Sequence, residues 1–328
     1  MTAQTKPGDF PGRITIEPTN RCNLHCTFCP RNLGAMKPGD MEWALFRKIA
    51  DEAALHIAAQ EPAGPFTAAA PNPQDRGVAM VFFFRGESLL HPDLCRMISY
   101  AKSKGLGPLQ LASNGYGLSE ELSADLLESG LDFISFSLDT LDPRLYSQAR
   151  TGGDLGRSQN NILRFIALAR ERQKRGLARP EIQVSSVDVA EYRSGQDDFI
   201  AFWRQKADRV RIYVEHSADG NLGSISGGPA GETARRPCLK LYSDLVVYWD
   251  GRVALCNHDW QNQLELGDLH SSSVAEIWKS KAYNNLRKAH EEGSPPANTA
   301  CAHCDHWYMY YQPQGFLGRV YTSEREEV

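Results

Sequence analysis

Two rhythms of apolar and polar residues alternate along the first two-thirds of the chain. Short β-branched and aromatic runs alternate with longer stretches of helical spacing. The short runs predict strands at Arg13–Glu17, Met80–Phe84, Leu109–Ser113, Phe133–Leu138, Glu181–Val187 and Arg209–Val214. The longer ones predict helices at Met41–Ala58 with Asp40 as N-cap, from Pro92-Asp93 to Lys104, and at Ser119–Ser129, Ser158–Arg175 and Gln196–Lys206. Met80-Val81-Phe82-Phe83-Phe84 is apolar throughout, as expected of a strand covered on both faces. Repeated β-α units imply a parallel sheet with right-handed crossovers, either open or curled into a barrel. Chemistry in such sheets gathers at the C-terminal ends of the strands.

Two stretches interrupt the rhythm. Gln60–Gly77 is rich in Pro and Ala and too long for an ordinary connection; a surface insertion is favoured over a lid or partner contact. Ser217–Arg236 is rich in Gly and Ser and reads as a linker. Beyond it the composition changes. Tyr248-Trp249-Asp250-Gly251-Arg252-Val253 has the Asp-Gly signal of a hairpin, and Val274–Trp278 is helical in pattern. The expected organisation is an N-terminal extension (1–12), an α/β body (13–216), a linker (217–236), a small C-terminal domain (237–312) and a tail (313–328).

Composition narrows the class. The chain has 328 residues and a formal net charge of −4, which argues against a nucleic-acid scaffold. Met1–Pro7 lacks the apolar core of a secretory signal, and no apolar run is long enough to cross a bilayer. A cytoplasmic setting without membrane or nucleic-acid partners is therefore expected. Eight cysteines in a reducing compartment point to metal before disulfide.

Their distribution carries the chemistry. Cys22, Cys26 and Cys29 lie directly after the first strand, in TNRCNLHCTFCP, with spacing C-x3-C-x2-C. Three thiolates can hold three irons of a [4Fe-4S] cube and leave the fourth open to a small molecule, whereas four-cysteine ligation closes the cube. The alternative is a zinc site borrowing His25, made awkward by its adjacency to Cys26. A second set, Cys238, Cys256, Cys301 and Cys304, brings a C-x2-C pair together with two dispersed cysteines; zinc or a closed cluster would satisfy it. Cys95 is left over, a packing residue before a hydrogen donor.

The three-cysteine loop, with Phe28 before the last cysteine, resembles the signature of the radical S-adenosylmethionine (radical SAM) superfamily. The resemblance implies a partial (β/α)6 TIM-like barrel and SAM bound through its amino and carboxylate groups to the open iron. It also implies cleavage of SAM to a 5′-deoxyadenosyl radical that abstracts hydrogen from the substrate. Phe84-Arg85-Gly86-Glu87-Ser88 is similar to the family's GGEP motif, with Arg85 and Ser88 departing from it. Ser113-Asn114-Gly115 and Ser137-Leu138-Asp139 resemble its later strand-end segments. SAM contacts are thereby implied for Phe28, Gly86, Glu87, Ser88, Asn114, Ser137 and Arg150.

The tail resembles the SPASM/twitch extension of these enzymes. Its four cysteines imply a twitch domain, a hairpin plus helix, with one fully ligated auxiliary [4Fe-4S] cluster. That plan resembles the radical SAM dehydrogenases of aminoglycoside and aminocyclitol pathways, such as 2-deoxy-scyllo-inosamine dehydrogenase. It implies oxidation of a secondary alcohol of an aminocyclitol or sugar to a ketone. The second cluster would accept an electron, and a flavodoxin or ferredoxin would supply the first. Glu215, His216 and Asp188, at strand ends, are the candidate bases. Sugar epimerisation and peptide or protein modification are the competing activities. A zinc-binding protein without enzymatic activity is the class-level alternative.

Overall fold

The structure, a computed structural model, describes residues 8–29, 31, 36–59, 77–214, 235–262, 264–302, 304–311, 318–323 and 326–327. Most of the 60–77 insertion, most of the 217–236 linker, and the base candidates Glu215 and His216 lie outside the described residues.

Six strands form the body: β1 (Arg13–Ile16), β2 (Ala79–Phe82), β3 (Leu109–Ser113), β4 (Phe133–Ser137), β5 (Glu181–Asp188) and β6 (Arg209–Val214). They pair in parallel and in consecutive order, the arrangement of an opened (β/α)6 barrel. The crossovers carry α1 (Trp43–Ala59), α2 (Leu94–Ser103), α3 (Glu120–Glu128), α4 (Pro143–Ala149) with α5 (Leu155–Lys174), and α6 (Gln196–Arg204). The hairpin strands β7 (Asp244–Val247) and β8 (Val253–Ala254) do not stand apart. Strand β7 pairs in parallel with β1, so the C-terminal domain extends the barrel sheet. The segment read as a tail contributes β9 (Arg319–Thr322), antiparallel to β6, and β10 (Glu326–Glu327). Both edges of the six-stranded core are thereby covered. Helices α7 (Val274–Trp278) and α8 (Lys281–Glu291) complete the C-terminal domain.

Strand periodicity divides the residues between two faces. Ile14, Ile16, Met80, Phe82, Leu109, Leu111, Ile134, Phe136, Ile182, Val184, Val210 and Ile212 are all buried in one core cluster. The intervening positions are largely polar. Among them Gln183 donates to Ser135 Oγ at 2.8 Å and to the Tyr213 hydroxyl at 3.2 Å. A polar inner face leaves the barrel interior fit for chemistry rather than for packing.

Two expected helix starts are corrected. Helix α1 begins at Trp43, and Asp40 does not cap it: its carboxylate accepts from the Thr19 hydroxyl at 2.6 Å and bridges back to the cysteine loop. Helix α5 begins at Leu155, where Asp154 accepts from the Arg157 N–H at 2.6 Å. Helix α4 has its own cap, Asp142, which accepts from Arg144 N at 2.8 Å ahead of Pro143. That Asp-Pro pair was the signal that could have revealed it. No helix among the described residues is long and apolar enough to cross a membrane.

Candidate active site and thiol centres

The loop after β1 is held by the chain that leaves it. Asn20 Nδ2 donates to the Lys37 carbonyl at 2.8 Å, and Gly39 N donates back to Asn20 Oδ1 at 2.9 Å. On the far side, His25–Cys26 forms a short ladder with Arg150–Thr151, and Thr27 N donates to the Ala149 carbonyl at 2.8 Å. Successive residues of a strand project to opposite faces. His25 is accordingly exposed while Cys26 is half-buried, which removes the geometry for joint ligation of one zinc ion.

Burial raises the thiol pKa of Cys22 and Cys29 and that of Cys26 to about 11, and mutual repulsion among the three adds to the Cys26 shift. Thiolates packed this closely need a cationic partner, and metal binding with proton release supplies one. Among the described residues no three Cys, His, Asp or Glu side chains converge on a single-ion position. An iron–sulfur cube asks for something else, one thiolate per iron.

The loop after β2 fits against this one without space for a side chain. A Cβ on Gly86 would stand 2.2 Å from the Thr19 carbonyl oxygen and 2.7 Å from that of Arg21. Glu87 N donates to the Arg21 carbonyl at 2.8 Å. The Glu87 carboxylate is buried and accepts from Asn114 N at 2.8 Å and Leu89 N at 3.2 Å. Burial pushes its pKa up; hydrogen bonds from Asn114, Ser113 and Leu89 resist. Asn114 Nδ2 donates to Asn23 Oδ1 at 2.9 Å, which braces the cysteine loop from β3. The Ser88 hydroxyl donates instead to the Phe82 carbonyl at 2.8 Å, beneath the loop. We expect Gly86→Ala to fold but to lose most SAM binding, because the clash is with backbone; equilibrium dialysis of SAM after anaerobic reconstitution checks it.

Arg150 is buried, not a surface residue. Its Nε and Nη2 lie 2.7 and 2.6 Å from Asp139 Oδ2, and Nη1 lies 3.9 Å from Cys26 Sγ. The exposed Phe28 ring lies 5.5 Å from its guanidinium carbon. Asp139 ends the Ser137-Leu138-Asp139 segment in a left-handed conformation, φ 71°, held where Ser186 Oγ donates to its carbonyl at 2.6 Å. Ser137, at the end of β4, is half-buried. Asp188, the one base candidate described, ends β5 and pairs with Arg193 at 2.9 Å. Cys95 sits on α2, packed against the core, where burial raises its pKa to about 11 and Asp125 of α3 adds to the shift.

The second thiol set closes on itself. Cys238, Cys256, Cys301 and Cys304 line one cavity together with His258, His290 and His306. Burial raises the pKa of Cys238, Cys256 and Cys301, and the neighbouring thiols add to the Cys256 and Cys301 shifts. The same burial lowers His290 to about 4. The three histidines escaped the sequence reading because they are dispersed in the chain, although two flank a cysteine within two residues.

Comparison with known proteins agrees with this geometry. The radical SAM superfamily model matches residues 16–179, and the iron–sulfur cluster-binding SPASM model matches 238–305. The tungsten-containing aldehyde ferredoxin oxidoreductase cofactor-modifying protein of Pyrococcus furiosus is 24% identical over 88% of this chain and 86% of its own. A PqqA peptide cyclase of Streptomyces rochei is 30% identical over 48% of this chain and 38% of its own. The crystal structure of BtrN in complex with AdoMet and 2-DOIA superposes with a TM-score of 0.51 and 18% identity, covering 86% of this chain and 87% of that one. At that identity the likeness speaks for the fold alone. The chain belongs to the radical SAM superfamily, an enzyme family using SAM and a [4Fe-4S] cluster, and carries a SPASM domain for further iron–sulfur binding.

Proposed function

We propose that the protein is a radical SAM oxidoreductase that converts a secondary alcohol of a sugar or aminocyclitol to a ketone. The observation that carries this reading is the shared cavity of Cys238, Cys256, Cys301 and Cys304. Four thiolates on one cluster leave no iron for substrate, which suits an electron acceptor. Bound SAM and the two clusters supply the hydrogen-atom acceptor and the one-electron acceptor.

The chain's own residues supply the rest. Cys22, Cys26 and Cys29 hold the first cluster. Backbone carbonyls around Gly86 and Ser88 would hold the SAM amine, while the Glu87 carboxylate, tied to Asn114 and Leu89, braces that loop. Arg150, Asn114, Ser137 and Phe28 would border the SAM carboxylate and ribose. Glu215, His216 or Asp188 takes the hydroxyl proton. In sum the carbinol carbon loses one hydrogen atom and one electron, and its oxygen one proton. The outer-layer position of Cys95 leaves epimerisation without its expected thiol donor.

The likeness to a peptide cyclase favours the competing reading, a peptide substrate. Anaerobic turnover with SAM, reductant and separate panels of alcohols and peptides decides. The expected product has lost two hydrogens with release of 5′-deoxyadenosine. A sugar of unchanged mass carrying one deuterium from D2O means epimerisation, and turnover of peptides alone means the competing reading.

A further inference from the structure

A cavity of about 640 Å³ lies at the seam between the barrel and the C-terminal hairpin. Asn20 and Arg85 line it from the barrel, next to the cysteine loop and to Gly86-Glu87. Trp249 and Trp260 line it from the C-terminal domain. Its walls are fixed. Arg85 Nε and Nη2 bind the Glu17 carboxylate at 2.6 and 2.7 Å, and Nη1 donates to the Trp260 carbonyl at 3.0 Å. The Trp249 ring sits directly on Gly39, where a Cβ would lie 2.4 Å from it.

Two polar atoms of the wall, Trp260 Nε1 and Asn262 Oδ1, are shielded from solvent and have no hydrogen-bond partner. Buried polar atoms are normally paired, so these two leave unmet hydrogen-bonding capacity beside the cavity. Charge gives the ligand's sign. Arg85 is neutralised by Glu17, and Arg252 by Asp250 at 2.8 Å. That leaves Lys37, exposed on the rim, whose ammonium has no ion-pair partner among the described residues. Indole faces stack on the C–H face of a sugar ring, and indole N–H and amide groups bond its hydroxyls.

We propose that this seam cavity is the substrate-recognition site and takes a sugar bearing a carboxylate or phosphate, in preference to a polycationic aminocyclitol. The hydroxylated class rests on the alcohol-oxidation reading; the binding test does not. Calorimetric titration of the full-length protein, reconstituted anaerobically and saturated with SAM, uses glucose 6-phosphate, glucuronate, 2-deoxystreptamine, inorganic phosphate and a Gly-Glu-Gly peptide. The expected result is saturable binding of glucose 6-phosphate or glucuronate, the better of the two naming the anion. Lys37→Gln and Trp260→Phe should each weaken it about tenfold, the loss of one strong hydrogen bond. Tighter binding of 2-deoxystreptamine or the peptide, binding of inorganic phosphate as tight as the sugar's, no binding at all, or indifference to both variants would overturn the proposal. Binding that follows the variants without any alcohol oxidation leaves this site standing and removes the dehydrogenase reading. Alcohol oxidation with KM unchanged in both variants does the reverse.

Discussion

Cys26→Ala protein, reconstituted anaerobically, will hold about four irons where the parent holds about eight, and will release no 5′-deoxyadenosine. Cys304→Ala protein will lose a similar share of iron yet still cleave SAM, and will fail to deliver ketone. The two thiols differ in what surrounds them. Cys26 lies in the ladder that ties the first cysteine loop to Arg150–Thr151, with Arg150 Nη1 3.9 Å from its sulfur. With only three thiols in that loop, removal of one leaves a cube that can neither be held nor be kept open at a single iron. Cys304 lines the other cavity, remote in sequence from Gly86-Glu87 and Asn114, and is half-buried where Cys301 is buried, so its loss disturbs packing less. Iron and acid-labile sulfide content, paired with chromatography of deoxyadenosine, reads both outcomes. Loss of SAM cleavage in Cys304→Ala with circular dichroism unchanged would assign the second centre to SAM activation and withdraw the electron-acceptor role. Zinc without labile sulfide in either protein would remove both clusters.

The first of these centres was legible in the chain because its ligands are local. Three cysteines within eight residues after a strand need no tertiary information. Strands β3 and β6 were readable to the residue for a similar reason: Leu109–Ser113 runs straight into the Asn114-Gly115 turn, and Arg209–Val214 is rich in β-branched residues. Long-range features stayed hidden. The pairing of β7 with β1 joins segments more than two hundred residues apart, and nothing in Asp244–Val247 names its neighbour. Arg85 read only as a departure from a motif; its partner Glu17 lies 68 positions earlier. Arg150 read only as an implied SAM contact; its burial against Asp139 was not visible, because burial of a charge is decided by a partner the sequence does not announce.

Glu17→Ala will lower the thermal midpoint far more than Glu171→Ala. Glu17 and Arg85 side chains are 0% and 5% exposed, whereas Glu171 and its partner Lys174 are 65% and 71% exposed. Removing one partner of a buried pair leaves a charge without compensation, at a cost of about 3–5 kcal/mol. An exposed pair is worth about 0–1 kcal/mol. Trp249 N also donates to Glu17 Oε2 at 3.1 Å, so the same substitution unties the hairpin from β1. Loss of the pair as a whole is a different matter. Glu17→Leu with Arg85→Met together should recover much of the midpoint, because neither charge is left alone in an apolar seam. If Glu17→Ala and Glu171→Ala melt alike, the pair is solvated in solution and the seam is open. If the double variant melts like the parent but no longer binds glucose 6-phosphate or glucuronate, the pair contributes little net stability. Its role is then to hold Arg85 between Glu17 and the Trp260 carbonyl, where the guanidinium sits 4.0 Å over Tyr248 and the loop that carries Gly86-Glu87 meets the C-terminal domain.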